Sequence, residues 1–305
     1  MHSAPILLSF SLPRYAGSGR PQRQRLQSLC VYATTCRSIK EFALGFFETE
    51  TAITRVGEYE WQTRLSSNWN IGPNSNGGYA MSSVLRALRE MTGMPDPVSV
   101  TVHFLRPVQG DTDCQIQTSL IRTGRTMATA QGTLQQGGKD RLVVIAAFGN
   151  LESQAGIGPE LGPPPPELPP VEDCVARANL KQGVALPLLS RIDCVLHPDC
   201  VEPGERALIE GWVRFADGAD ASTLSLPCFV DVFPPSLTAL VGNTGWVPTI
   251  ELTTQVRRAP KPGWLRARFE CDDLHNGRMI ETGALWDASG ALVARSRQIG
   301  LLLKK

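Results

Sequence analysis

The sequence predicts an α+β protein built from two copies of one unit, each a long helix packed against an antiparallel sheet. Three observations carry this. A glycine-led helical stretch feeds directly into an alternating strand near residue 100. The same layout returns about 150 residues later. A proline-rich segment, 156–170, separates the two.

Residues 1–40 carry Arg14, Arg20, Arg23, Arg25, Arg37 and Lys40 and no acid. Without those six, 24 basic residues face 29 acidic ones, so the rest of the chain is acidic by about five charges. A basic, acid-free start suits an organelle transit peptide or a disordered extension. We expect 1–40 to be poorly packed and dispensable, because the segment has no sustained amphipathic pattern and lies outside the repeat.

Residues 41–150 form the first unit. Strands are expected over 51–56 and 59–65, with Trp61 and Leu65 on one side. Asn76-Gly77-Gly78 turns without steric penalty and lets another backbone or a ligand approach. From 79 to 91, Met81, Val84, Leu85 and Leu88 recur at helical spacing, and Pro95 and Pro97 are expected to end the helix. Residues 99–105 alternate, with Val100, Val102 and Phe104 on one face and Thr101 and His103 on the other. Strands over 114–122, 126–135 and 142–148 complete a sheet.

Residues 151–175 read as a linker whose proline run favours extended backbone at the surface. The second unit, 176–305, has expected strands over 188–197 and 208–215. A second helix is expected over 223–241, bent or split by Pro234-Pro235. Strands over 249–256, 265–271, 278–286 and 291–302 follow. Thr101 maps to Thr253 and Gly138 to Gly290 at one offset of 152. Two such units argue for sheets paired across a pseudo-twofold axis.

The chain is 42% hydrophobic and 19% charged with a net charge of +1. Nothing global suggests nucleic acid or an acidic membrane, and no apolar run reaches the roughly 18 residues of a membrane span. Eight cysteines are scattered without a CxxC; Cys194 and Cys200 lack a partner pair for zinc, so the thiols read as buried or free in a reducing compartment. No metal and no cofactor is expected.

Several segments together resemble a known family: Asn76-Gly77-Gly78 opening a helix, the run 99–107 (SVTVHFLRP), the turn 120–125 (LIRTGR) and the strand 293–298 (VARSRQ). Across roughly 59–303 the chain resembles the acyl-CoA thioesterase II type (TesB-like) of double-hotdog protein, most closely its thioesterase-like branch. The resemblance implies a tandem hotdog fold, an acyl-CoA substrate, a possible homo-oligomer and a place in fatty acid metabolism. The location it suggests is cytoplasmic, or mitochondrial if residues 1–40 are a leader. It also implies a catalytic Asp231, Thr253 and Gln298, with Asn76, Gly77 and Gly78 binding substrate. The chain departs from better-known members at Glu251-Leu252 (for Asp-His), Ile299 (for Glu) and Tyr79 (for Gln), which bears on substrate rather than on the trio.

Thioester chemistry fits such a trio. The thiolate leaves well, so a held water and charge stabilisation suffice. A carboxylate can accept the water's proton, a hydroxyl and an amide can fix its position, and N–H groups at a helix start can polarise the carbonyl. No covalent intermediate is required. Thr254 is a rival to Thr253, and His103 reads as a satisfied core or interface histidine. A hotdog dehydratase would need a histidine near a helix start, and neither expected helix has one. A Ser-His-Asp hydrolase lacks its GxSxG elbow. The remaining alternative is an inactive acyl-CoA or lipid-binding module.

Overall fold

The computed structural model describes residues 44–153, 158–180 and 183–303. These lie within one unit, Ala43–Lys305. The expectations for residues 1–40 fall outside the described residues.

The described residues begin with a five-residue helix, α1 (Phe46–Glu50). It is followed by β1 (Thr54–Arg55), β2 (Glu60–Leu65), β3 (Asn70–Ile71), β4 (Asn74–Ser75) and the long helix α2 (Gly77–Thr92). Then come β5 (Asp96–Phe104), β6 (Thr112–Thr123), β7 (Met127–Gln136) and β8 (Lys139–Gly149). After the linker lie β9 (Val175–Ala176), β10 (Ile192–Leu196), β11 (Leu208–Phe215), the helical turns α3 (Leu226–Phe229) and α4 (Thr238–Val241), and β12 (Thr249–Val256). The last strands are β13 (Leu265–His275), β14 (Arg278–Trp286) and β15 (Leu292–Leu301). Thirteen strands form one sheet in the order β1-β2-β6-β7-β8-β5-β12-β15-β14-β13-β11-β10-β9.

Helix α2 forms because its start is capped and its stripe is apolar. Asn76 Oδ1 accepts the Tyr79 N–H at 2.9 Å, which satisfies one of the amides a helix leaves open at its start. Met81, Val84, Leu85 and Leu88 are fully buried, each contributing about 1.5–3 kcal/mol by leaving water. Gly132 on β7 lets the helix close on the sheet, since a Cβ there would sit 2.5 Å from Val84 Cγ1. The helix ends at Gly93, which takes the left-handed conformation (φ 65°), not at the prolines. Pro95 follows the end, and Pro97 belongs to β5.

The expected second long helix is two four-residue turns, α3 and α4. Pro234 and Pro235 lack the N–H groups a continuous helix would need, and their rings clash with the preceding turn. Two expected strands are also shorter. Of 51–56 only β1 is strand, and within 188–197 a 3-10 turn (Pro187–Ser190) precedes β10. Phe47 of α1 explains the first change. It stacks on Phe215 at 5.2 Å and meets Trp69 edge-on at 6.1 Å, so the chain turns inward before the sheet begins.

The halves join through β5 and β12, antiparallel, with Thr101 opposite Thr253. These residues are also the repeat equivalents, so the pseudo-twofold axis passes between them. Their hydroxyls are 2.9 Å apart. The linker is mostly exposed, but two indoles hold it: Trp286 donates to the Pro163 carbonyl and Trp212 to that of Pro169, each at 3.0 Å.

Candidate active site

A cavity of about 320 Å³ lies where the start of α2 meets the broken helical segment of the second half. Asn76, Gly77, Asp231, Thr249, Glu281 and Gln298 line it together with apolar Phe104, Phe233, Trp246 and Ile250.

Asp231 follows the last turn of α3, where its N–H donates to the Cys228 carbonyl at 3.0 Å. Its Oδ2 accepts the Gly78 N–H at 2.7 Å and Asn76 Nδ2 at 2.9 Å. Asn76 Nδ2 also reaches the Asp231 carbonyl at 2.9 Å. Asn76 therefore caps the helix with its oxygen and clamps Asp231 with its nitrogen. Both side-chain bonds fall on Oδ2, which leaves Oδ1 to accept from water. Burial lifts the Asp231 carboxyl to about 6, even though the Gly78 and Asn76 bonds oppose the rise; the Glu281 charge adds to it and that of Arg177 works against it. A group poised there is ionised at neutral pH yet close enough to exchange protons readily.

The glycines are required by close packing. A Cβ on Gly78 would sit 2.8 Å from Asp231 Cβ and 2.9 Å from Cys228 Cα, and one on Gly77 would sit 2.6 Å from the Phe104 ring. Of the first three amides of α2, Gly78 donates to Asp231 and Tyr79 to Asn76. Among the described residues the Gly77 N–H has no protein acceptor, and Gly77 lines the cavity.

Gln298 on β15 enters the same cavity. Its Oε1 accepts the Thr249 hydroxyl at 2.9 Å, and its Nε2 donates to Glu281 Oε1 at 2.5 Å. Glu281, on β14 directly across from Gln298, is buried at 3% exposure. Its Oε2 accepts both the N–H and the hydroxyl of Ser236, at 2.6 and 2.5 Å.

Thr253 does not join them. It pairs with Thr101 and Arg297 along the sheet, on the face opposite Leu252 and its cross-strand neighbour Gln298. Its hydroxyl meets Glu251 Oε1 at 2.5 Å and Thr101. Thr254 does share the Gln298 face, but it is fully buried and does not line the cavity. Thr249 takes the place expected of Thr253, and a β-bulge is the reason. Simple alternation puts 249, 251 and 253 on one face. The register shift between Thr249 and Glu251 adds one residue to β12 and turns Thr249 to the other side. His103 lies on the same outer face as Thr253 and is exposed, so it is not a core histidine, one of the two roles expected of it.

Comparisons with known proteins agree with this architecture. The family model for the acyl-CoA thioesterase N-terminal domain matches residues 65–149, and that for the acyl-CoA thioesterase C-terminal domain matches residues 165–302. A Thermobifida fusca YX protein provisionally assigned as a thioesterase II is 30% identical in sequence. The match covers 86% of this chain and 98% of that one, with a TM-score of 0.77. A hot dog fold protein of unknown function from Alicyclobacillus acidocaldarius superimposes with a TM-score of 0.75 over 86% of this chain and all of its own, at 18% identity. An uncharacterised protein of Mycobacterium tuberculosis H37Rv is 26% identical over 272 residues, 79% of this chain and 90% of its own.

Proposed function

The chain belongs to the acyl-CoA thioesterase family of double-hotdog proteins, and on that premise we propose that it hydrolyses an acyl-CoA to the free acid and CoA. The observation that carries the reading is the meeting, in one cavity, of a carboxylate of raised basicity, a bonded Thr–Gln pair and a free helix-start N–H.

The hydrogen bonds support one way of holding a water. The Thr249 proton is committed to Gln298, so Thr249 Oγ1 can only accept from that water. Asp231 Oδ1 accepts the water's other proton. With both protons held, a lone pair is left to face the thioester carbon. As the oxygen attacks, its proton passes to Asp231 and the carbonyl oxygen gains charge. The Gly77 N–H, at the positive end of α2, stabilises that charge. The C–S bond then breaks, the thiolate leaves, and the proton on Asp231 returns to sulfur or solvent. No covalent enzyme intermediate forms.

The test is thiol release from a panel of acyl-CoAs, with Thr249→Val and Thr253→Val side by side. Thr249→Val is expected to lower kcat by roughly 10²-fold, the low end of the range for losing a positioned hydrogen-bonding group, and Thr253→Val to leave it within about threefold. Binding of acyl-CoA without thiol release would point to the inactive-binder alternative instead.

A further inference from the structure

We propose that Glu281 is a positioning residue: it fixes which way the Gln298 amide points, and through Gln298 it sets the direction of the Thr249 hydroxyl. This rests on the hydrolytic reading above and deepens it.

An amide's two ends are nearly the same shape, so its partners decide its orientation. Burial pushes the Glu281 carboxyl up while its bonds from Ser236 and Gln298 oppose the rise; in the ionised form those bonds favour, it can only accept, and it takes Gln298 Nε2 at 2.5 Å. Gln298 Oε1 must then face Thr249, whose hydroxyl donates to it at 2.9 Å. The reverse flip would turn the Gln298 NH₂ toward Thr249. That hydroxyl would then accept from Gln298 and send its own proton into the cavity, where it would occupy the lone pair the water needs for attack. A buried acceptor three hydrogen bonds from the water thus decides whether the water arrives with its lone pair free.

Glu281 also has a plain structural duty. The proline break leaves the Ser236 N–H without a helical acceptor, and Glu281 Oε2 takes it along with the Ser236 hydroxyl. Glu281→Gln separates the two duties. A glutamine can keep its oxygen toward Ser236, but it then presents NH₂ to Gln298, which forces the flip.

The experiment combines kinetics with NMR of the Gln298 side-chain amide in the full chain. In the wild type, one Nε2 proton should lie well downfield because it is bonded to a carboxylate. In Glu281→Gln that shift should vanish, kcat should fall about 10-fold or more, and KM should stay within about threefold. Ser236→Ala, which trims only the structural side, should keep the downfield proton and a kcat within about threefold. A Glu281→Gln enzyme with wild-type kcat, or a wild-type Gln298 amide without the downfield proton, overturns the proposal. If the wild type releases no thiol from any acyl-CoA, the hydrolytic reading fails on its own, and the amide signal alone then decides whether Glu281 sets the flip.

Discussion

The two halves share a backbone plan and differ in what they hang on it. The bulge that turns Thr249 inward recurs in the first half between Pro97 and Ser99, 152 residues earlier. Gln298 corresponds at the same offset to Ala146, Asp231 at 153 to Gly78, and Glu281, through strand pairing, to Ala130. Thr249, Gln298, Asp231 and Glu281 therefore each have an apolar or absent counterpart in the first half: Pro97, Ala146, Gly78 and Ala130 are all buried. The first half instead keeps an unbroken α2, whose capped start supplies N–H donors. The second copy supplies Asp231, Thr249, Glu281 and Gln298, and the first supplies backbone donors and the Asn76 side chain that clamps Asp231. On the proposed function, the contrast teaches that the duplication yields one site among the described residues, lined by the segment that carries the proline break.

The sharpest way to break this contrast is at the contact between its two contributors. Asp231→Asn should cut acyl-CoA hydrolysis by roughly 10²–10⁴-fold, the range for losing a positioned base, with the fold intact by circular dichroism. Gly78→Ala attacks the same contact from the other side. Its Cβ would press on Asp231 and on the Cys228 backbone, so we expect roughly 1–3 kcal/mol of destabilisation together with a large loss of activity. A milder test is the pH profile. The Asp231 carboxyl, lifted to about 6, must be ionised to take a proton, so kcat/KM should rise with pH through about 6 and level off above it. An alkaline-limited profile with no acid limb would remove Asp231 from the base role.

Smaller still is the effect on stability. A carboxyl whose folded value is raised holds its proton more tightly when folded, so its ionisation costs stability above about 6, and the cost is relieved as pH falls from there toward its ordinary value near 3.8. Asp231→Asn should therefore gain less in melting temperature between pH 7 and 5 than the wild type does. Equal gains would mean the group is not perturbed in the folded state.

Much of this was legible in the sequence, and the failures have physical causes. The repeat and its central pairing followed from apolar alternation and a constant offset, both of which survive in strands buried on one side. Asp231, Gln298 and the glycines lay on segments that the family resemblance covered. Thr253 came from the family resemblance rather than from the strand pattern, and Thr249 was passed over because alternation assumes no bulge: one extra residue in β12 reverses the face of what precedes it. Glu281 left a signal that went unread: a charged residue between Met279 and Gly283, on the apolar side of β14. The broken helix was half-visible in Pro234-Pro235. What the sequence could not show was that the break would leave the Ser236 N–H for Glu281 to satisfy. The short helix α1 has no side-chain cap from its own N-cap, Gly45; the Phe46 N–H donates instead to Asp217 Oδ2 at 2.5 Å and Phe47 packs on Phe215, distant partners that no local pattern encodes.

The β5–β12 seam carries a further consequence. In a protein whose two hotdog units were separate chains, this pairing would form by collision, and its occupancy would fall on dilution. Here one covalent tether joins the partners, and a linker that spans the two sites makes the second contact intramolecular, at an effective concentration set by its length and stiffness. The seam should therefore stay closed at nanomolar protein, and the melting temperature should not depend on protein concentration on its account.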